Sequence, residues 1–134
     1  MRRLPFIPLT LLTLAACTSV AGLLGAHVNA YSGKERPIGE VAVLLPKSWA
    51  QFAKVDGKHV GDSAMGYPRD VRVLPGERHL DIDCIANSFP FRTQFTGRFE
   101  AGHFYNVECI DQGKGNFTCN LKDLGTQDPR AKRE

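Results

Sequence analysis

From Pro37 to Leu124 a turn-forming residue interrupts the chain every eight to twelve positions, and apolar and polar residues alternate between the interruptions. That rhythm predicts an all-β fold, a small antiparallel β-sandwich of about seven or eight strands. Its cleanest element runs from Arg78 to Ala86. Leu80, Ile82, Cys84 and Ala86 fall on one face of that run, while His79, Asp81 and Asp83 fall on the other. One face meets a core and the other meets water, as in a half-buried strand.

The other expected strands share this logic. Val41-Ala42-Val43-Leu44-Leu45 is a compact apolar run stopped by Pro46, and Ala50 to Val55 alternates up to Asp56-Gly57, a strong hairpin signal. His59-Val60 begins the return, Gly61 to Pro68 reads as a loop, and Asp70 to Leu74 ends at Pro75-Gly76. Phe91, Thr93, Phe95, Gly97 and Phe99 keep step with one another. Tyr105, Val107 and Cys109 share a face of the next strand, and Phe117, Cys119 and Leu121 share a face of the last.

The first 16 residues follow a different pattern. Arg2 and Arg3 precede an apolar run, Leu4 to Ala16, of about 13 residues, the length of a signal-peptide core and short of the ~20 that span a bilayer. Pro5 and Pro8 interrupt that run. The sequence Leu14-Ala15-Ala16-Cys17 at its end resembles the lipobox of bacterial lipoproteins. The resemblance implies cleavage before Cys17, lipid on its thiol and new amino group, and anchorage of the chain to a membrane. Thr18 carries no charge; by the same resemblance it favours the outer membrane, with the protein facing the periplasm.

Cleavage there divides the chain into a leader (1–16), a lipidated N-terminus and tether (17–36), a β-sandwich domain (37–124) and a disordered tail (125–134). Residues 17–36 hold no sustained period. Leu23, Leu24 and Val28 leave open a short helix or an extra strand packed on the domain. The 17 basic and 14 acidic residues give a formal +3, which falls to +1 once Arg2 and Arg3 leave with the leader. Scattered singly, they form no basic patch, which argues against a nucleic-acid partner.

A second resemblance is carried by Val55-Asp56-Gly57-Lys58-His59-Val60-Gly61 and by Val71-Arg72-Val73-Leu74-Pro75-Gly76-Glu77-Arg78-His79-Leu80-Asp81-Ile82. These strings are similar to the turn motifs of PEGA domains. Here Leu74 adjoins Pro75 directly and His79 stands one place later than that pattern. The resemblance implies a small β-sandwich of a kind taken as a surface or interaction module.

Once Cys17 is lipidated, Cys84, Cys109 and Cys119 remain, an odd number in a compartment that permits disulfides. If Gly113-Lys114-Gly115 forms a three-residue loop, Asp111 faces Phe117, Ile110 faces Thr118, and Cys109 lies opposite Cys119. That register predicts a Cys109–Cys119 bridge, with Cys84 a buried thiol. Cys84–Cys109 is the rival, and chain entropy puts either at roughly 3 kcal/mol.

Chemical motifs are sparse. The sequence has no Gly-x-Ser-x-Gly, phosphate loop, dinucleotide fingerprint or His-Glu-x-x-His. The cysteine and histidine spacings lack a metal-ligand pair, so no metal, cofactor or catalytic residue is expected. Asp81 and Asp83 read as a solvated face, and His79 and His103 as strand residues. Trp49, Tyr67, His103 and Tyr105 are the candidate binding residues, Trp49 being the only tryptophan; for Tyr105 a core anchor is the simpler reading. The expectation is a non-enzymatic lipoprotein, an interaction or structural module of the envelope. Its partners are then the membrane and an envelope protein or glycan. The alternative is a small inhibitor or ligand-binding lipoprotein of the periplasm.

Overall fold

The structure, a computed structural model, describes residues 26–132; the leader, the lipobox and Cys17 lie outside them. Nine strands are formed: β1 (Val28–Asn29), β2 (Ala42–Lys47), β3 (Ala50–Val55), β4 (Lys58–His59), β5 (Val71–Val73), β6 (Gly76–Ala86), β7 (Phe89–Phe99), β8 (Phe104–Gly113) and β9 (Asn116–Asp123). They build two sheets, ordered β1-β5-β2-β8-β9 and β4-β3-β6-β7. The all-β expectation holds. Two pairings, β1 with β5 and β2 with β8, are parallel, so the sheets are mainly rather than wholly antiparallel. Among the described residues no helix is long and apolar enough to cross a membrane.

The core lies between the sheets and is built from the in-step residues of each strand. Leu44, Phe52, Val71, Leu80, Ile82, Phe99 and Val107 are fully or almost fully buried. Asp56 takes the positive φ its hairpin needs (48°), as does Gly57 (79°). Gly97 lies beneath two rings: a Cβ there would stand 2.9 Å from atoms of both Phe95 and Phe99.

Pro46 does not stop β2, which continues to Lys47 with Pro46 opposite Val107. The Val43 N–H donates toward β8, to the His103 carbonyl at 3.0 Å. By alternation the missing N–H of Pro46 faces the other way, toward β5. That strand pairs only as far as Leu44, so no ladder bond is lost.

Both ends of the domain extend further than the sequence suggests. Residues expected as tether supply β1, where the N–H of Val28 donates to the Asp70 carbonyl (3.0 Å) and that of Ala30 to the Arg72 carbonyl (2.8 Å). Residues expected as a disordered tail fold back. The Gly125 carbonyl accepts from the Phe104 N–H at 2.9 Å, and a 3-10 turn forms at Pro129–Lys132. Arg130 then reaches Asp70 at 3.4 Å.

The cysteine register is as expected, but the bridge is not. Cys109 pairs with Cys119 across β8 and β9, Ile110 with Thr118, and Asp111 with Phe117; a bulge then sets Gly113, not Gln112, opposite Asn116. The disulfide nevertheless joins Cys84 to Cys109, Cα to Cα 5.9 Å, and leaves Cys119 as a thiol. Cys84 on β6 and Cys109 on β8 both point inward, so their sulfurs meet across the gap between the sheets. All three sulfurs lie within 4.8 Å of one another.

Candidate functional surface

The sandwich has two unlike ends. At one, here the lower, lie the β2–β3 turn with Trp49, the β6–β7 tip at Asn87-Ser88 and the β8–β9 tip at Lys114-Gly115. Burial along β7 shows how this end is built. On its inward side Phe99 and Gly97 are buried, Phe95 and Thr93 are half-buried, and Phe91 is exposed. The apolar alternation therefore continues past the point where the facing sheet covers it.

What remains open there is aromatic. Phe117 sits between Trp49 (ring centroids 5.8 Å apart, edge-on) and Phe91 (5.2 Å). Phe89 is 68% exposed, Trp49 40% and Phe91 39%. Ile110, on the opposite face of β8 from Cys109, is also exposed. An exposed apolar cluster of this kind is a candidate interaction surface.

The upper end is closed by polar contacts. Tyr105 is buried edge-on against Phe99 (5.0 Å), and its hydroxyl accepts the Glu100 N–H at 2.8 Å. Burial pushes the pKa of this phenol upward. Beside it, His103 Nδ1 lies 3.0 Å from the Asp123 carboxylate and Nε2 lies 3.2 Å from Glu100. The Gly125 N–H, donating at 2.8 Å, holds the Asp123 carboxyl below the usual carboxylate range, and His103 adds to the effect. The three side chains converge as metal ligands would. Glu100 and Asp123 are exposed and His103 half-buried, and both ring nitrogens of His103 already face carboxylates, as in a turn clasp.

Asp83 corrects the expectation of a solvated face. It is 3% exposed, accepting from the Tyr67 hydroxyl at 2.8 Å and from Arg92 Nε at 2.7 Å. The loop Gly61–Pro68 swings Tyr67 over this side of β6, where alternation alone predicts water. Burial first, then the bond to Asp83, pushes the Tyr67 phenol up to about 12. Asp81 stays partly open, 3.7 Å from Arg92.

Of the four candidate residues, His103 and Tyr105 are brought together, their rings stacked with centroids 6.2 Å apart, and the other two lie elsewhere. Trp49 belongs to the lower end, Tyr67 to the Asp83 network, His103 to the upper clasp, and Tyr105 to the core. Sequence reasoning missed Phe89 and placed Phe91 and Phe117 in the strand core. The available signal was their place within three residues of a turn, where a strand outruns its cover.

One cleft, of about 420 Å³, opens beside β1 and β5 and is lined by Ala26, His27, Arg69, Asp70, Arg72 and Arg130. Asp70 is buried there. Its Oδ2 and the Nε of Arg72 are both without a hydrogen-bond partner, 3.9 Å apart. No family model, no curated protein and no solved structure matches this chain.

Proposed function

We propose that this chain is a lipid-anchored, non-enzymatic interaction module of the cell envelope, held through Cys17 at the outer membrane and facing the periplasm. The membrane and an envelope protein or glycan are its partner classes. The observation that carries the interaction role is the lower end, where Trp49 and Phe91 stand exposed against Phe117, with Phe89 exposed two residues away on β7, on a frame tied by a disulfide. The polar clusters support it in a second way. Asp83 is committed to Tyr67 and Arg92, and His103 to Glu100 and Asp123, so each has a structural task. The anchor itself rests on the lipobox.

Growth with radiolabelled fatty acid tests the anchor. The mature protein is expected to carry label and to enter the detergent phase of a detergent split, and Cys17→Ala is expected to abolish both. Label-free protein in the aqueous phase overturns the placement. The second reading, a ligand-binding lipoprotein, is favoured by the cleft with its unpaired Asp70 Oδ2. Its test is calorimetric titration with small anions and sugars against an Asp70→Asn variant.

A further inference from the structure

The register fixes where the chain joins the sandwich on its way from Cys17. Val28 pairs with Val71, which pairs with Leu44, and the Arg69 N–H donates to the Ala26 carbonyl at 3.2 Å. Ala26 is therefore level with Pro46, just above the β2–β3 turn, and the chain arrives at the same end that carries the aromatic cluster. Of the six large apolar side chains exposed among the described residues, Trp49, Phe89, Phe91 and Ile110 are gathered at this end. Ile38 lies in the turn before β2, and Met65 lies in the loop Gly61–Pro68.

We propose that the lower end is the bilayer-facing surface of the protein, with Trp49, Phe89 and Phe91 seated in the headgroup–acyl boundary. This rests on the lipid-anchor reading and names the partner that the aromatic cluster takes. Eight residues, 18–25, separate Cys17 from Ala26, and the nine Cα–Cα steps reach about 30 Å at full extension. That leash holds this end nearest the lipid. Aromatic side chains, tryptophan above all, favour the boundary between headgroups and hydrocarbon. Lys47 and Lys114, exposed at this end, can reach lipid phosphates; the acidic neighbours are Glu108, 3.9 Å from Lys47, and Asp111, beside Trp49. Because multiple acyl chains already hold a lipoprotein almost irreversibly, the cluster determines orientation rather than affinity.

Orientation can be read directly because Trp49 is the only tryptophan. The mature, lipidated protein, purified in detergent, is reconstituted into phosphatidylethanolamine–phosphatidylglycerol vesicles with or without brominated acyl chains. The expected result is loss of most of the Trp49 emission in brominated vesicles. A Phe89→Ser, Phe91→Ser double variant is expected to regain that emission while still floating with the vesicles. Protein that floats but keeps its Trp49 emission overturns the proposal, whether that end faces water or is covered by a second copy. Quenching that survives the double variant also overturns it. Protein that fails to float overturns the anchor reading and the proposal with it; flotation and quenching therefore separate the two failures.

Discussion

The upper and lower ends of this sandwich use the same strands and the same alternation, yet one is sealed and the other is not. At the upper end of β7, Phe99 is buried under Tyr105, whose hydroxyl closes the turn at Glu100. At the lower end the inward-facing side chains of the same strand emerge one after another, until Phe91 and Phe89 meet solvent. Identical residue types thus have opposite tasks. The difference lies in whether the opposite sheet still covers them.

The largest effect should come from breaking the sealed end. Phe99→Ala removes a ring from a closed site and is expected to cost about 3–5 kcal/mol in urea unfolding. Phe89→Ala should fall within about 0.5 kcal/mol of the parent. If the two cost the same, the aromatic cluster is core and the contrast between the ends is wrong.

Next in size is the bridge between the sheets. Cys109→Ala leaves Cys84 and Cys119 without their common neighbour and should cost roughly 3 kcal/mol. Cys84→Ala is the sharper experiment. With Cys119 directly opposite Cys109, the freed sulfur of Cys109 should take it as partner, and peptide mapping under non-reducing conditions should find the 109–119 link. In the parent protein Cys119 should react sluggishly with alkylating reagents at neutral pH, since burial pushes its thiol up to about 11.

These cysteines show how far the sequence could be read. The hairpin register was legible, because Gly113-Lys114-Gly115 sets which residues face each other. Partner choice was not, because Cys84 approaches from the other sheet and no local spacing encodes that approach. The same limit hid β1 and the folded-back tail. Val28 and Ala30 pair through backbone groups, and Arg130 reaches Asp70 across the sheet; neither contact leaves a period in the sequence. Asp83 was misplaced for a related reason: alternation gives the face, while burial there depends on a distant loop delivering Tyr67. Trp49 was legible as a candidate, but its companions Phe91 and Phe117 were indistinguishable from core.

A smaller effect is expected at Tyr67, which is bonded to Asp83 on β6. Tyr67→Phe removes one hydrogen bond to a buried carboxylate and should cost about 1–3 kcal/mol near neutral pH. The phenol sits at about 12 in the fold against an ordinary 10.0, so the folded state holds its proton longer than the unfolded chain does. That contribution is complete below about pH 10 and is lost as the pH rises toward 12. The stability gap between parent and variant should therefore narrow over that interval. A constant gap would mean that the fold does not raise the Tyr67 phenol above its ordinary value.

The smallest effect belongs to the clasp at the upper end. Asp123 and Glu100 are well exposed beside His103, and solvent screens such pairs, so His103→Ala should cost only a few tenths to about 1 kcal/mol. The Asp123 carboxyl is held below its ordinary value, 3.8, first by the Gly125 N–H and then by His103. Its contribution is thus present above that value and fades as the pH falls through the lowered one. His103→Ala removes only the second cause. The acid limb of the Asp123 titration, followed by carboxyl NMR, should move part of the way back toward 3.8 and stop short, because Gly125 still donates. A complete return would assign the whole effect to the histidine and make the clasp, rather than the turn, the element that closes this end.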